Sequence, residues 1–223
     1  MKTAKIFIDL DGPILNVFCR YYKAYRDALK MLGFTPVSKE LYWSLKRAKT
    51  PDIDILRLSF AEKHAEKYIK IRNSLIEKKK FLEYDNVWPE LKEVYSVLFV
   101  KIPAVLVTLR THAKRTHWQL KHLGIHSWFQ HIYTRPDYLV SQDRWELKTE
   151  IIKKSGILKN LNINDCFFVG DTETDILAGK RLGMKTLAIA FGIRDRNILL
   201  KTKPDILFEK KAEFAAFLKK EIL

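Results

Sequence analysis

Short apolar runs alternate with helical periodicity along most of this chain. The first run, Ile6-Phe7-Ile8, has the length and the β-branched, aromatic character of a buried parallel strand. From Val17 to Leu32 the period changes. Phe18, Tyr21, Tyr22, Tyr25, Leu29 and Leu32 recur at three- and four-residue steps and predict a helix that stops at Gly33. A second helix is expected from Ser38, a candidate N-cap, to about Arg47. A longer helix, or a broken pair, is expected over 53–81, with a stripe through Ile55, Leu58, Ala61, Ala65, Tyr68, Ile69 and Ile76. No run between residues 14 and 95 reads as a strand, so a helical block comes directly after the first strand.

Near Asp85 the pattern changes again. Pro89 suits the first turn of a helix over 89–99. Strands are then expected at 104–109, 131–134, 166–169, 185–190 and 205–208. Helices are expected at 111–123, 145–154 and 173–182, with an amphipathic tail from Lys210. Such alternation predicts an α/β protein, a parallel sheet covered by helices on both faces. No internal repeat, low-complexity tract or heptad array interrupts it.

Composition changes this picture in two respects. Apolar residues make up 47% of the 223, enough for a sizeable core, and the formal net charge of +15 favours anionic partners. The lysines are scattered, and Lys78-Lys79-Lys80, the tightest cluster, falls in a helical pattern where a solvated face explains it. Two cysteines, Cys19 and Cys166, lack metal-binding spacing and suit a reducing compartment. The first strand begins too early for a cleavable signal peptide, and the apolar runs are far shorter than a membrane span. A cytoplasmic protein without membrane contact is expected.

The candidate chemistry sits at strand ends. Asp9 and Asp11 leave the first strand, with Gly12-Pro13 breaking the backbone behind them. The carboxyl end of a central strand is where ligands bind in open α/β sheets. Asp-Leu-Asp-Gly also suits a mere polar turn, so its meaning depends on matching partners later in the chain. Thr108, near the end of VLVTLR, can donate a hydrogen bond to a phosphoryl oxygen, though threonine is an ordinary strand residue. Lys148, opening a helix, can neutralise an anion. In VGDTETD, Asp171 and Asp175 add carboxylates at the same edge, and with Asp9 and Asp11 they can bind Mg²⁺. Thr172 and Asp175 also fit a capping box, which leaves Asp171 unexplained.

Taken in order, DLDGPI (Asp9–Ile14), Thr108, Lys148 and GDTETD (Gly170–Asp175) resemble the four motifs of the haloacid dehalogenase-like hydrolase superfamily. The likeness extends through AGKRLGMKTLAIAFGIRD and Lys203-Pro204-Asp205 to the phosphoglycolate phosphatase-like branch. It implies a three-layer Rossmann-like core, residues 1–15 and 85–223, with a helical cap at 16–84. It further implies a Mg²⁺-dependent phosphatase acting on a small phosphorylated metabolite. Asp9 would be the nucleophile and Asp11 the general acid and base. Mg²⁺ would be held by Asp9, the backbone carbonyl of Asp11 and Asp171, with Asp175 either a further ligand or a support behind them, and Thr108 and Lys148 on the phosphoryl oxygens.

Departures from the family pattern bear on substrate. Pro13 replaces the commoner threonine and Asn16 a commoner acid, while Leu109 and Arg110 stand where small or amide residues are usual. Leu109 and Arg110 are therefore candidate substrate contacts. Cap candidates are Tyr21, Tyr22, Lys46, Arg47 and Lys49. A sugar phosphomutase would use the same parts. A non-catalytic anion- or nucleic-acid-binding protein is disfavoured by the acidic set and by the lack of any nucleic-acid motif. A monomer or homodimer is expected.

Overall fold

Residues that alternate along the apolar runs face opposite sides of one sheet, and both sides are covered. The computed structural model describes residues 5–221 except 103, 140 and 142; residues 1–4, 222 and 223 of the expected core also lie outside the described residues. The chain opens with β1 (Lys5–Ile8) and the two-residue β2 (Leu15–Asn16). Five helices come next: α1 (Phe18–Met31), α2 (Lys39–Arg47), α3 (Asp52–Arg57), α4 (Ala65–Ile76) and α5 (Lys79–Leu82). Then come β3 (Asn86–Val87), α6 (Pro89–Lys101), β4 (Ala104–Val107), α7 (Ala113–His122) and β5 (Phe129–Tyr133). The remainder is α8 (Arg144–Lys154), β6 (Cys166–Gly170), α9 (Glu173–Arg181), β7 (Lys185–Ile189), α10 (Arg196–Leu200), β8 (Ile206–Phe208) and α11 (Lys211–Glu221).

Six strands form one parallel sheet in the order β5-β4-β1-β6-β7-β8. The fold is therefore the expected α/β, Rossmann-like arrangement. Phe7, Val105 and Phe168 pack with Ile151 and Ile152 of α8 and Ala178 of α9 on one face. Ile6, Ile8, Leu106 and Val169 meet α6, α7 and α11 on the other, through Tyr95, Leu98, Leu120 and Phe214. Burial on both faces explains why the strands read as continuous apolar runs rather than alternating ones. The chain builds outward from β1 to β4 and β5, then returns to lay β6, β7 and β8 on the other side. The carboxyl ends of β4, β1 and β6 thus surround the point where the winding reverses, where a crevice opens in such sheets.

The helices between β2 and β3 form a core of their own, with Tyr25, Leu29, Tyr42, Ile55, Leu56 and Tyr68 buried together. The rings of Tyr25 and Tyr42 stack at 4.3 Å. Of the two forms expected over 53–81, the broken one is found: Phe60 takes a left-handed φ of 56°, which no right-handed helix continues. The expected stripe needs correction, because Leu58 and Ile69 are exposed. Strand pairing also exists between 14 and 95, because β2 and β3 pair antiparallel through Leu15–Val87 and Asn16–Asn86. These two crossings between core and helical block run side by side. Two residues each are too few to show any period in sequence. Lys78, Lys79 and Lys80 are exposed, as expected.

Candidate active site

Three strand ends deliver the site. Asp9 follows β1 and its N–H donates to the Val169 carbonyl of β6 at 3.1 Å. Asp171 follows β6, and Thr108 follows β4, its N–H bonded to the Tyr133 carbonyl at 2.9 Å. The loop behind Asp11 is pinned from α6 and the residue before it: the Trp88 indole donates to the Gly12 carbonyl at 2.7 Å, and the Tyr95 hydroxyl to the Pro13 carbonyl at 2.9 Å. Gly12 has a φ of +106°, and a Cβ there would lie 1.8 Å from the Asp171 carboxylate, so both conformation and space demand glycine. Gly192 also approaches Asp171 closely, since a Cβ there would lie 2.2 Å from its carboxylate.

Carboxylate oxygens of Asp9, Asp171 and Asp175 lie within 4.8 Å of one another, all buried. Burial, with Asp175 and Asp11 nearby, pushes the Asp9 carboxyl up to about 7 despite the opposing Lys148 ammonium. Burial, then Asp175 and Asp9, likewise holds Asp171 well above its ordinary value. Lys148 lies 2.9 Å from Asp9 and 2.5 Å from Asp175. Burial would lower its pKa, but the two carboxylates outweigh that and raise it. One ammonium against three carboxylates leaves the cluster short of positive charge.

The donor set fits a hard divalent cation. Asp171 Oδ1 is buried without a hydrogen bond, and Asp9 Oδ1, although beside Lys148, makes no well-directed one. Asp171 Oδ2 accepts from the Ile193 N–H at 2.5 Å, which leaves Oδ1 as its unpartnered oxygen. Oxygen donors orphaned in this way suit Mg²⁺, which binds through one or two carboxylates and retains other ligands. Asp175 is differently occupied. Its Oδ2 accepts from the Thr172 N–H and hydroxyl at 3.0 and 2.7 Å, the expected helix-start contact, and its Oδ1 takes Lys148.

Asp11 is not part of the carboxylate cluster. Its side chain is held by Arg20 at 2.5 Å and by Arg110, which also contacts Asp85 at 3.3 Å; Arg20 reaches Asp85 at 2.9 Å. Gln119 completes the group, donating to Asp85 at 2.9 Å and accepting from Arg110. Burial alone would raise the Asp11 carboxyl, yet the Arg110 and Arg20 guanidiniums override it and bring it to about 2. Arg110, expected as a substrate contact, is 5% exposed and engaged with three side chains, although it borders the cleft.

A cleft of about 720 Å³ lies over these groups, bordered by Asp9, Thr108, Leu109 and Lys148 below and by Tyr21 and Lys49 of the helical block above. Burial and the nearby Asp11 carboxylate raise the Tyr21 phenol. Arg47, an expected substrate contact, does not border the cleft. It donates to the Ala190 and Gly192 carbonyls at 2.6 Å each, while Arg194 donates back to the Lys46 carbonyl at 2.8 Å. Lys49 pairs with Glu173 at 2.6 Å. Segment 46–49 is thus bolted to loop 190–195, the loop that also holds Asp171. Arg47→Ala is expected to speed hydrogen exchange at the 190–195 amides and to raise KM severalfold, since two charge-assisted bonds are lost. Unchanged exchange and KM would refute this coupling.

Sequence reading missed Arg20, Asp85, Gln119 and Arg194. One signal existed: Arg20, Ala24 and Ala28 share the buried stripe of α1, and a charge on such a stripe needs a partner.

A sequence model of the haloacid dehalogenase-like hydrolases matches residues 6–189. The chain is 23% identical to a protein named pyrophosphatase PpaX from Anoxybacillus flavithermus, covering 98% of each chain. It is 24% identical to the Oceanobacillus iheyensis protein of that name, covering 94% of each. Among solved structures it resembles a haloacid dehalogenase-like family hydrolase from Streptococcus pneumoniae, with a TM-score of 0.74, 21% identity and 97% and 98% of the chains covered. A predicted phosphoglycolate phosphatase from Haemophilus somnus gives a TM-score of 0.72 at 20% identity, with 98% of each chain covered. With the family's sequence model spanning most of its length and the carboxylate-bearing strand ends in one crevice, the chain belongs to the haloacid dehalogenase-like hydrolases.

Proposed function

We propose that this hydrolase is a Mg²⁺-dependent phosphatase that cleaves a small phosphomonoester through an aspartyl-phosphate on Asp9. One observation carries the reading: Asp9 ends the central strand with Lys148 beside it and two further buried carboxylates within 4.8 Å. The names of relatives and neighbours, pyrophosphatase and phosphoglycolate phosphatase, support phosphoryl chemistry without selecting a substrate.

A carboxylate oxygen of Asp9 attacks phosphorus, and the bond from phosphorus to the leaving oxygen breaks. Lys148 and Thr108, both buried at the cleft floor, neutralise and orient the phosphoryl oxygens. Water then attacks phosphorus, its proton passes to a base, and the Asp9–phosphorus linkage breaks to release phosphate. Asp9 and Asp171, with the Asp11 backbone carbonyl, would hold Mg²⁺, and Asp175 would support them while fixing Lys148. When bound, Mg²⁺ supplies charge that offsets the carboxylates and the phosphoryl group.

Asp11 is the group assigned to proton transfer. Held by two guanidiniums it is a carboxylate, so acting as an acid requires release from Arg20. Arg20 lies on α1, within the block 16–84 that we assign as the cap, and cap movement is the motion that would free Asp11. A mutase would use the same groups and differ in its control of water. The test is hydrolysis of p-nitrophenyl phosphate and a panel of phosphorylated metabolites with Mg²⁺ and with EDTA. Metal-dependent phosphate release is expected; no release from any ester at any metal concentration would sink the reading.

A further inference from the structure

Most cations around the cleft already face a carboxylate. Lys46 and Arg72 share Asp52, at 3.4 and 2.6 Å. Lys49 and Arg194 share Glu173, at 2.6 and 3.0 Å. Arg20 and Arg110 are taken by Asp11 and Asp85, and Lys148 by Asp9 and Asp175. Two cleft-lining arginines remain, Arg135 and Arg144, and neither has an ion-pair partner among the described residues.

Their positions relate them to the reacting centre. Arg144 is the first residue of α8 and Lys148 stands four residues later, so both lie on one helix face, about 6 Å apart at their Cβ atoms. Lys148 touches the nucleophile, and Arg144 is therefore one turn further out along the cleft. Tyr21 lines the same cleft, and the Arg144 charge opposes the rise that burial and Asp11 impose on its phenol. Arg135 follows β5, its N–H bonded to the Arg110 carbonyl at 3.0 Å, which ties it to the cleft floor. Its Nε–H is buried without an acceptor among the described residues, an unmet donor in a wall of the cleft. Asp143 also lines the cleft, yet it approaches neither arginine within ion-pair distance. Both line the same cleft, and guanidinium forks match the geometry of a phosphate dianion better than ammonium groups do.

We infer that Arg135 and Arg144 form a second anion subsite, which selects substrates carrying a second phosphate about one helical turn from the phosphoryl group that is cleaved. The inference rests on the phosphatase reading for which phosphate is cleaved, but the subsite itself binds whether or not turnover occurs.

Binding is measured by calorimetry on the Asp9→Asn protein, with Mg²⁺ present, for propyl phosphate, propanediol bisphosphate and phosphorylated hydroxypropionate. The bisphosphate is expected to bind about tenfold more tightly than the monophosphate. That advantage is expected to shrink to within about twofold when Arg135→Gln and Arg144→Gln are added. The single Arg144→Gln variant, at an exposed position, guards against misfolding and is expected to lose part of the advantage. Equal binding of mono- and bisphosphate, or an advantage that survives both substitutions, would overturn the subsite. Equal binding of the carboxylate compound and the bisphosphate would overturn its preference for phosphate. Wild-type turnover is read separately: a binding advantage without hydrolysis of any compound would remove the phosphatase reading and keep the subsite.

Discussion

Asp9→Asn is expected to lower kcat for every substrate by about four orders of magnitude or more while the protein stays folded. The carboxamide is close to isosteric but cannot form the aspartyl-phosphate, so the loss falls on the chemical step rather than on binding. Stability should survive because the change removes one negative charge from a buried cluster that holds three carboxylates and one ammonium. Lys148 keeps Asp175 as its partner at 2.5 Å. Phosphate release measures the first effect and calorimetric melting the second. Activity within about tenfold of wild type would exclude Asp9 as nucleophile, whereas lost activity with a collapsed melting transition would leave its role unproven.

Arg20→Met is expected to cost about 3 kcal/mol or more of stability, the penalty of breaking a buried ion pair from one side. Arg20 is 1% exposed, and it binds Asp11 at 2.5 Å and Asp85 at 2.9 Å. Arg110 would then face two buried carboxylates alone. Burial already raises the Asp85 carboxyl against the pull of Arg20 and Arg110, so losing Arg20 pushes it further toward the neutral form. The double variant Arg20→Met with Asp85→Asn should recover part of the loss, because it removes the charge that Arg20 had balanced. Urea denaturation of the two proteins reads this. A single variant as stable as wild type would show that the network carries no net stabilisation.

The network is also the clearest case of what could not be read along the chain. Arg20 and Asp85 are 65 positions apart, and Arg110 and Asp11 are 99 apart. No local period links them, and although Arg20 falls on a buried stripe, nothing nearby in sequence names its partner. Arg110 reads naturally as an anion contact, and only its burial beside Asp11, Asp85 and Gln119 turns it into a positioning group. The same holds for Arg47, whose guanidinium meets the Ala190 and Gly192 carbonyls rather than the cleft. Asp11 and Asp9 look equivalent in Asp-Leu-Asp-Gly, yet one joins the carboxylate cluster and the other faces two arginines.

By itself the sequence determined the α/β fold and which polar residues stand at the ends of its strands. Buried parallel strands must be continuous apolar runs, and helices must repeat their apolar face every three or four residues, so both are written locally. A polar group at the end of such a run has only the sheet edge to occupy, which is why Asp9, Thr108 and Asp171 were legible as a set. Only the tertiary structure decided which charge faces which. Arg20, Arg47 and Arg110 became braces while Arg135 and Arg144 stayed without partners among the described residues. Charge pairing is set by distances across elements, and those distances are fixed by packing rather than by any neighbour in the chain.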